Sequence, residues 1–212
     1  MIRGKHATGI SFLPWWSADI VTISDSISAD KFVDIHLTDD KLSDLVNADG
    51  NLYLIGHCRY STSDLLYNQP ISNETTSIAH NGVITQEDPS QWESNYGYTC
   101  ATRNDSELVL HSLSPLEEFQ DASMAVCELG KDTKSITYYR NGKRPLYFTS
   151  IENGSIITST RDIPRRANLK GETVEVDMNA YHKIDKNLTV TVERISIEAK
   201  DLQKVKYETI SV

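Results

Sequence analysis

Cysteine is scarce in these 212 residues: Cys58, Cys100 and Cys127 are three in number and far apart, with no CxxC pair. An odd, scattered set gives no disulfide framework and fits a reducing compartment. Long apolar runs are also missing. Without a stretch of about 20 apolar residues, neither a membrane-spanning helix nor a secretory core is expected. Basic clusters are few, with 21 Lys and Arg against 30 Asp and Glu, a net charge of −9 and a pI near 5.1. The densest basic group, Arg161, Arg165 and Arg166, is interrupted by Asp162 and Pro164. Nothing there tracks a phosphate backbone, so nucleic acid is not an expected partner. His57-Cys58 and His80 lack tetrahedral ligand spacing, and neither a metal nor a cofactor is expected. These absences predict a cytoplasmic protein that engages no membrane.

No internal repeat or low-complexity linker divides the chain. One compact domain over residues 1–195 is the simpler reading of this length, with 196–212 as a C-terminal tail or an added strand. Strands are expected at 9–12 and 21–23, around the turn Pro14-Trp15-Trp16. Within the polar stretch 28–47, residues 41–47 form the better helical half. Residues 87–99 read as a polar loop. A helix is expected over 104–112, with Asn104 as N-cap and Glu107 closing a capping box. A short helix follows at 115–119, then a hairpin of strands at 123–129 and 134–140, a strand at 155–159, and two final alternating strands at 182–184 and 188–193. Runs of strands with helices near 40–47 and 104–119 suit an α+β fold of two packed antiparallel sheets with helices outside.

Two apolar runs, 52–55 and 77–79, each end in a polar cluster: Gly56-His57-Cys58-Arg59-Tyr60-Ser61-Thr62 and His80-Asn81-Gly82. Strand-then-polar-turn presents side chains and bare backbone N–H groups to a ligand. Arg59 carries a planar fork suited to a carboxylate. Asn81 offers an amide donor beside the unobstructed N–H of Gly82, the parts of an oxyanion hole. Each has a plain structural reading too: Arg59 as one half of an ion pair, with Asp105 among its possible partners, and Asn-Gly as a hairpin turn.

Taken in order, GHxRYST, Asn68-Gln69-Pro70, Ala79-His80-Asn81-Gly82 and Asp105-Ser106-Glu107 resemble the class II glutamine amidotransferase domain of the N-terminal-nucleophile hydrolase superfamily. Arg3-Gly4-Lys5-His6-Ala7-Thr8-Gly9-Ile10 resembles its RGxDSxGI turn, and residues 142–148 its GxRPLYY strand. The resemblance spans roughly residues 1–180. It implies the four-layer αββα sandwich of that superfamily, and glutamine amide hydrolysis with ammonia passed to a synthase. It further implies that Arg59 holds the glutamine α-carboxylate, with Thr62 adding a hydrogen bond nearby. Asp105 would pair with the α-ammonium, and Asn81 and Gly82 would form the oxyanion hole. In the family an N-terminal strand begins with the nucleophilic Cys and is followed by a helix, roughly 20 to 25 residues in all. No residues here correspond to them, and on this reading the chain alone does not hydrolyse glutamine. A shortened sequence, a split enzyme completed by a synthase subunit or other partner chain, and a catalytically inactive ligand-binding or interaction module all remain open. The alternating stretch 205–212 is a candidate for the missing strand.

Overall fold

The computed structural model describes residues 4–60 and 68–195. Thr62 and the tail 196–212 lie outside the described residues, as does the strand expected at 205–212. The first sheet is antiparallel, in order β2-β1-β3, built from β1 (Ala7–Phe12), β2 (Val21–Asp25) and β3 (Leu54–Arg59). A second has the order β12-β11-β7-β6-β5-β4. It contains β4 (Ile71–Ser72), β5 (Thr76–Val83), β6 (Ser123–Gly130), β7 (Ser135–Arg140), β11 (Ala180–Ile184) and β12 (Val190–Arg194). The third, in order β10-β8-β9, joins β8 (Tyr147–Ile151), β9 (Gly154–Thr158) and β10 (Thr173–Glu175).

Strand alternation decides the layers. On β6, Ala125, Cys127 and Leu129 face one way. Leu129 packs with Leu13, Tyr53 and Ile55 of the first sheet, and Ala125 packs with Leu146 and Val176 around the third. Both small sheets therefore cover one face of the six-stranded sheet. Met124 and Val126 face the other way, against α2 (Trp92–Tyr96), α3 (Ser106–His111) and α4 (Pro115–Glu118). The outer face of the first sheet buries Ile10 and Phe12 against Phe32 of α1 (Ala29–His36) and Leu45 of a 3-10 turn, Asp39–Leu45. The result is the expected helix–sheet–sheet–helix sandwich, its second layer made of two three-stranded pieces. No helix among the described residues is long and apolar enough to cross a membrane.

Several local expectations are corrected. The regular helix of the 28–47 stretch is its first half, because Phe32 is the fully buried anchor while Leu42 stays exposed. The stretch read as a polar loop contains a 3-10 turn, Pro89–Gln91, and α2, started by Asp88 accepting the Ser90 N–H and ended by left-handed Gly97. Trp92, on α2, is buried. Trp15 and Trp16 are 59 % and 50 % exposed, so neither of that pair is a core residue. The helix α5 (Asp162–Arg166) was not foreseen; its Arg166 Nε lies 2.7 Å from Asp162 Oδ2.

Candidate functional site

Arg59 is the last residue of β3, on the face it shares with Ile55 and His57, and Ile55 packs toward the six-stranded sheet. Asn81 sits in β5 opposite Ala125 of β6, whose side chain lies between the sheets. Asn81-Gly82 is therefore not the tight connection its sequence suggests. β5 runs straight through both residues to Val83, because pairing with β6 continues to Ser123. Cross-strand pairing overrides the local turn preference.

Gly82 is nonetheless required. Its φ is +154°, and a Cβ there would lie 1.8 Å from the carbonyl oxygen of Ser123. Gly4, with φ +68°, has the same constraint against the Cys58 carbonyl oxygen at 2.1 Å.

Asp105 immediately precedes α3, where its Oδ2 accepts the backbone N–H of Ile84 at 2.6 Å and of Thr85 at 3.3 Å. Burial raises its carboxyl above the usual range, and those hydrogen bonds partly offset the rise. The expected capping box does not form. Asn104 Oδ1 accepts the Ser106 N–H at 3.1 Å, but the Glu107 carboxylate turns to the preceding loop. There it accepts the N–H groups of Ala101 and Thr102, each at 2.7 Å. Those loop donors have no helix to satisfy them, so they capture the carboxylate.

Arg59, Asn81, Gly82 and Asp105 all border one cleft of about 800 Å³, with Gly4, Lys5, Tyr60 and Gln69 among its other walls. Lys5 and Arg59 contribute positive charge and Asp105 negative charge to the same space. Asn68 Oδ1 accepts from Arg59 Nη1 at 3.5 Å, so the Asn-Gln-Pro motif borders the arginine it accompanies in sequence.

Beneath the cleft lies a buried polar network centred on His80, a core hydrogen-bonding residue and not a general base. Gln69 Oε1 accepts the His80 N–H at 2.6 Å, and Gln69 Nε2 donates to Ser106 Oγ at 3.1 Å. His80 Nδ1 stands 2.9 Å from Ser106 Oγ, and Nε2 stands 3.2 Å from the Ser123 carbonyl. A carbonyl only accepts, so Nε2 carries the proton and Nδ1 accepts from the Ser106 hydroxyl. Burial holds His80 down to about 4, which keeps the ring neutral and makes it a spacer between β5 and α3. His57 is also held down to about 4, by burial and then by His80 and Arg59.

The thiols are poorly placed for nucleophilic attack. Cys58 pairs with Thr8 on the face of β3 opposite Arg59, as alternation predicts, although it borders the cleft. Burial raises the Cys58 thiol, and Thr8 partly offsets it. Burial lifts Cys100 to about 11 and Cys127 to about 12, each helped by a neighbouring glutamate.

The four-layer sandwich is a fold shared with solved glutamine amidotransferases. The glutamine phosphoribosylpyrophosphate amidotransferase from B. subtilis, solved with ADP and GMP, superposes with a TM-score of 0.67 at 20% identity over 92% of this chain. An allosteric regulatory enzyme of purine biosynthesis gives 0.68 at 19% identity, again over 92% of this chain. This chain spans 44% of the length of each. A class-II domain protein from Silicibacter pomeroyi, described as a glutamine aminotransferase, gives 0.52 at 10% identity, covering 90% of this chain and 92% of its own. No family model and no curated protein matches the sequence.

Proposed function

We propose that the cleft binds L-glutamine as the glutaminase-type site of a class II amidotransferase domain. The observation that carries this reading is the arrival of Arg59, Asp105, Asn81 and Gly82 at one cleft from two sheets and a helix. A free amino acid is zwitterionic, so its recognition takes a fixed cation and a fixed anion at separate corners. Arg59 holds the α-carboxylate, with Thr62 assigned beside it, and Asp105 holds the α-ammonium. The side-chain amide then points at Asn81 and Gly82, whose N–H donors stabilise the oxyanion by roughly 3 kcal/mol per donor.

On this reading Cys58, Cys100 and Cys127 are not the nucleophile, and these 212 residues bind glutamine without hydrolysing it. Ammonia release then takes a terminal thiol from another segment or a partner chain, and a synthase receives the ammonia in a reducing, cytoplasmic setting. A non-catalytic binding or interaction module is the second reading, favoured by the exposure of Trp15 and Trp16 on the surface.

Calorimetry with L-glutamine tests the site. Charge-assisted contacts contribute about 2 kcal/mol, so Arg59→Ala and Asp105→Asn should each weaken binding roughly 30-fold. Equal affinity in wild type and both variants, or no binding by the folded wild type, refutes the assignment. Ammonia release by the purified chain that depends on Arg59 refutes the exclusion of Cys58, Cys100 and Cys127 instead.

A further inference from the structure

Outside the cleft, Glu107 and His111 lie one turn apart on α3, and Cys100 sits on the segment leading into it. Cys100 Sγ, a Glu107 carboxylate oxygen and a His111 ring nitrogen all lie within 4.8 Å of one another. His111 Nε2 is buried without a hydrogen-bond partner and stands 3.6 Å from Glu107 Oε1. That separation is too long for a hydrogen bond, and leaving such an atom unpaired is costly.

The surroundings are already ordered for a ligand. Glu107 Oε2 accepts from both the N–H and the hydroxyl of Thr102, which fixes the carboxylate plane. Tyr98 stacks on the His111 ring at 5.8 Å, fixing the imidazole. Cys100 borders a separate open cavity of about 460 Å³, which gives an entry path.

We propose that Cys100, Glu107 and His111 bind a divalent zinc-type cation, with water in the fourth position. Sulfur, nitrogen and oxygen together are the donor set of tetrahedral Zn²⁺, whose ligand atoms stand roughly 3.3–3.8 Å apart. The present spacing therefore needs only a small contraction. Binding converts the Cys100 thiol to thiolate, its proton passing to solvent. Thr102 is a positioning residue that acts through Glu107. The spacing C-x6-E-x3-H was not flagged in the sequence because it brings only three ligands and no paired cysteines.

The test is titration with Co²⁺ followed by near-ultraviolet absorption, then calorimetry with Zn²⁺. Expected are one cation per chain and a thiolate-to-cobalt charge-transfer band that Zn²⁺ displaces. Cys100→Ser abolishes the band. His111→Gln lowers affinity at least about tenfold, and Thr102→Val about tenfold through the carboxylate it orients. His36→Gln, at a different His–carboxylate pair, leaves binding unchanged. No band, a band that survives Cys100→Ser, or equal loss in His36→Gln overturns the assignment. Should Cys100→Ser fail to fold, His111→Gln decides, because that side chain is one-third exposed at a helix end.

Discussion

Acidification reads the His80 network directly. The ring is only 2 % exposed, and burial holds its pKa near 4 in place of the ordinary 6.5. In the unfolded chain the ring takes up a proton as pH falls through 6.5, whereas in the folded chain it does not until about 4. Between those values the unfolded state holds one more proton. Stability therefore falls as pH falls, by about 1.4 kcal/mol per pH unit and about 3 kcal/mol across the window. That is a large fraction of the roughly 5–15 kcal/mol available to a domain. His57 titrates in the same direction, so the wild-type slope alone does not isolate His80. The difference between wild type and His80→Gln does, since glutamine fills similar space and cannot take up a proton. Urea midpoints measured between pH 7.5 and 4.5 at constant ionic strength should give a shallower pH dependence for the variant, by about one proton. Parallel curves for the two proteins would refute the neutral-spacer account.

Gly82→Ala forces a left-handed φ on a side-chain-bearing residue and drives its Cβ into the Ser123 carbonyl. Strain and overpacking together should cost at least about 3 kcal/mol, or roughly 6–12 °C in Tm by calorimetry, and a drop below about 2 °C contradicts the geometry. Thiol labelling at pH 8 in the native protein, followed by mass spectrometry, should modify exposed Cys58 first and Cys127 last, since burial lifts Cys127 to about 12. Faster labelling of Cys127 would show that the sheet packing over β6 opens freely.

The sequence was most informative where one periodicity had no competitor. Alternation along β3 alone places Arg59 and Cys58 on opposite faces, and β6, β7, β9, β11 and β12 lie within a few residues of their expected places. It misled where a local preference met a tertiary demand. Asn81-Gly82 is a strong turn signal, yet unbroken pairing with β6 holds both residues in a strand. Glu107 stood at capping-box spacing, but loop N–H groups at 101 and 102 took its carboxylate. In 87–99 the helix signals were present, Asp88-Pro89 at the start and Gly97 at the end, and the polar composition hid them. The His80–Ser106–Gln69 network joins residues up to 37 positions apart, and no spacing rule connects them.

The cleft is assembled from two mechanically distinct parts. Asp105 is tied through Oδ2 to Ile84 and Thr85, directly after β5, while His80 ties the same strand to Ser106 of α3. Asn81, Gly82 and Asp105 are therefore tied to the six-stranded sheet by hydrogen bonds. Arg59 belongs to the other layer, which meets that sheet through Leu13, Tyr53 and Ile55 against Ala79 and Leu129. Under the proposed reading, the distance between Arg59, which takes the α-carboxylate, and the Asn81-Gly82 corner, which takes the side-chain amide, is set by packing between the sheets. A closely packed interior transmits small volume changes without absorbing them. Selectivity for one length of amino-acid side chain then resides in the apolar contacts between the layers as much as in the four polar groups that touch the ligand.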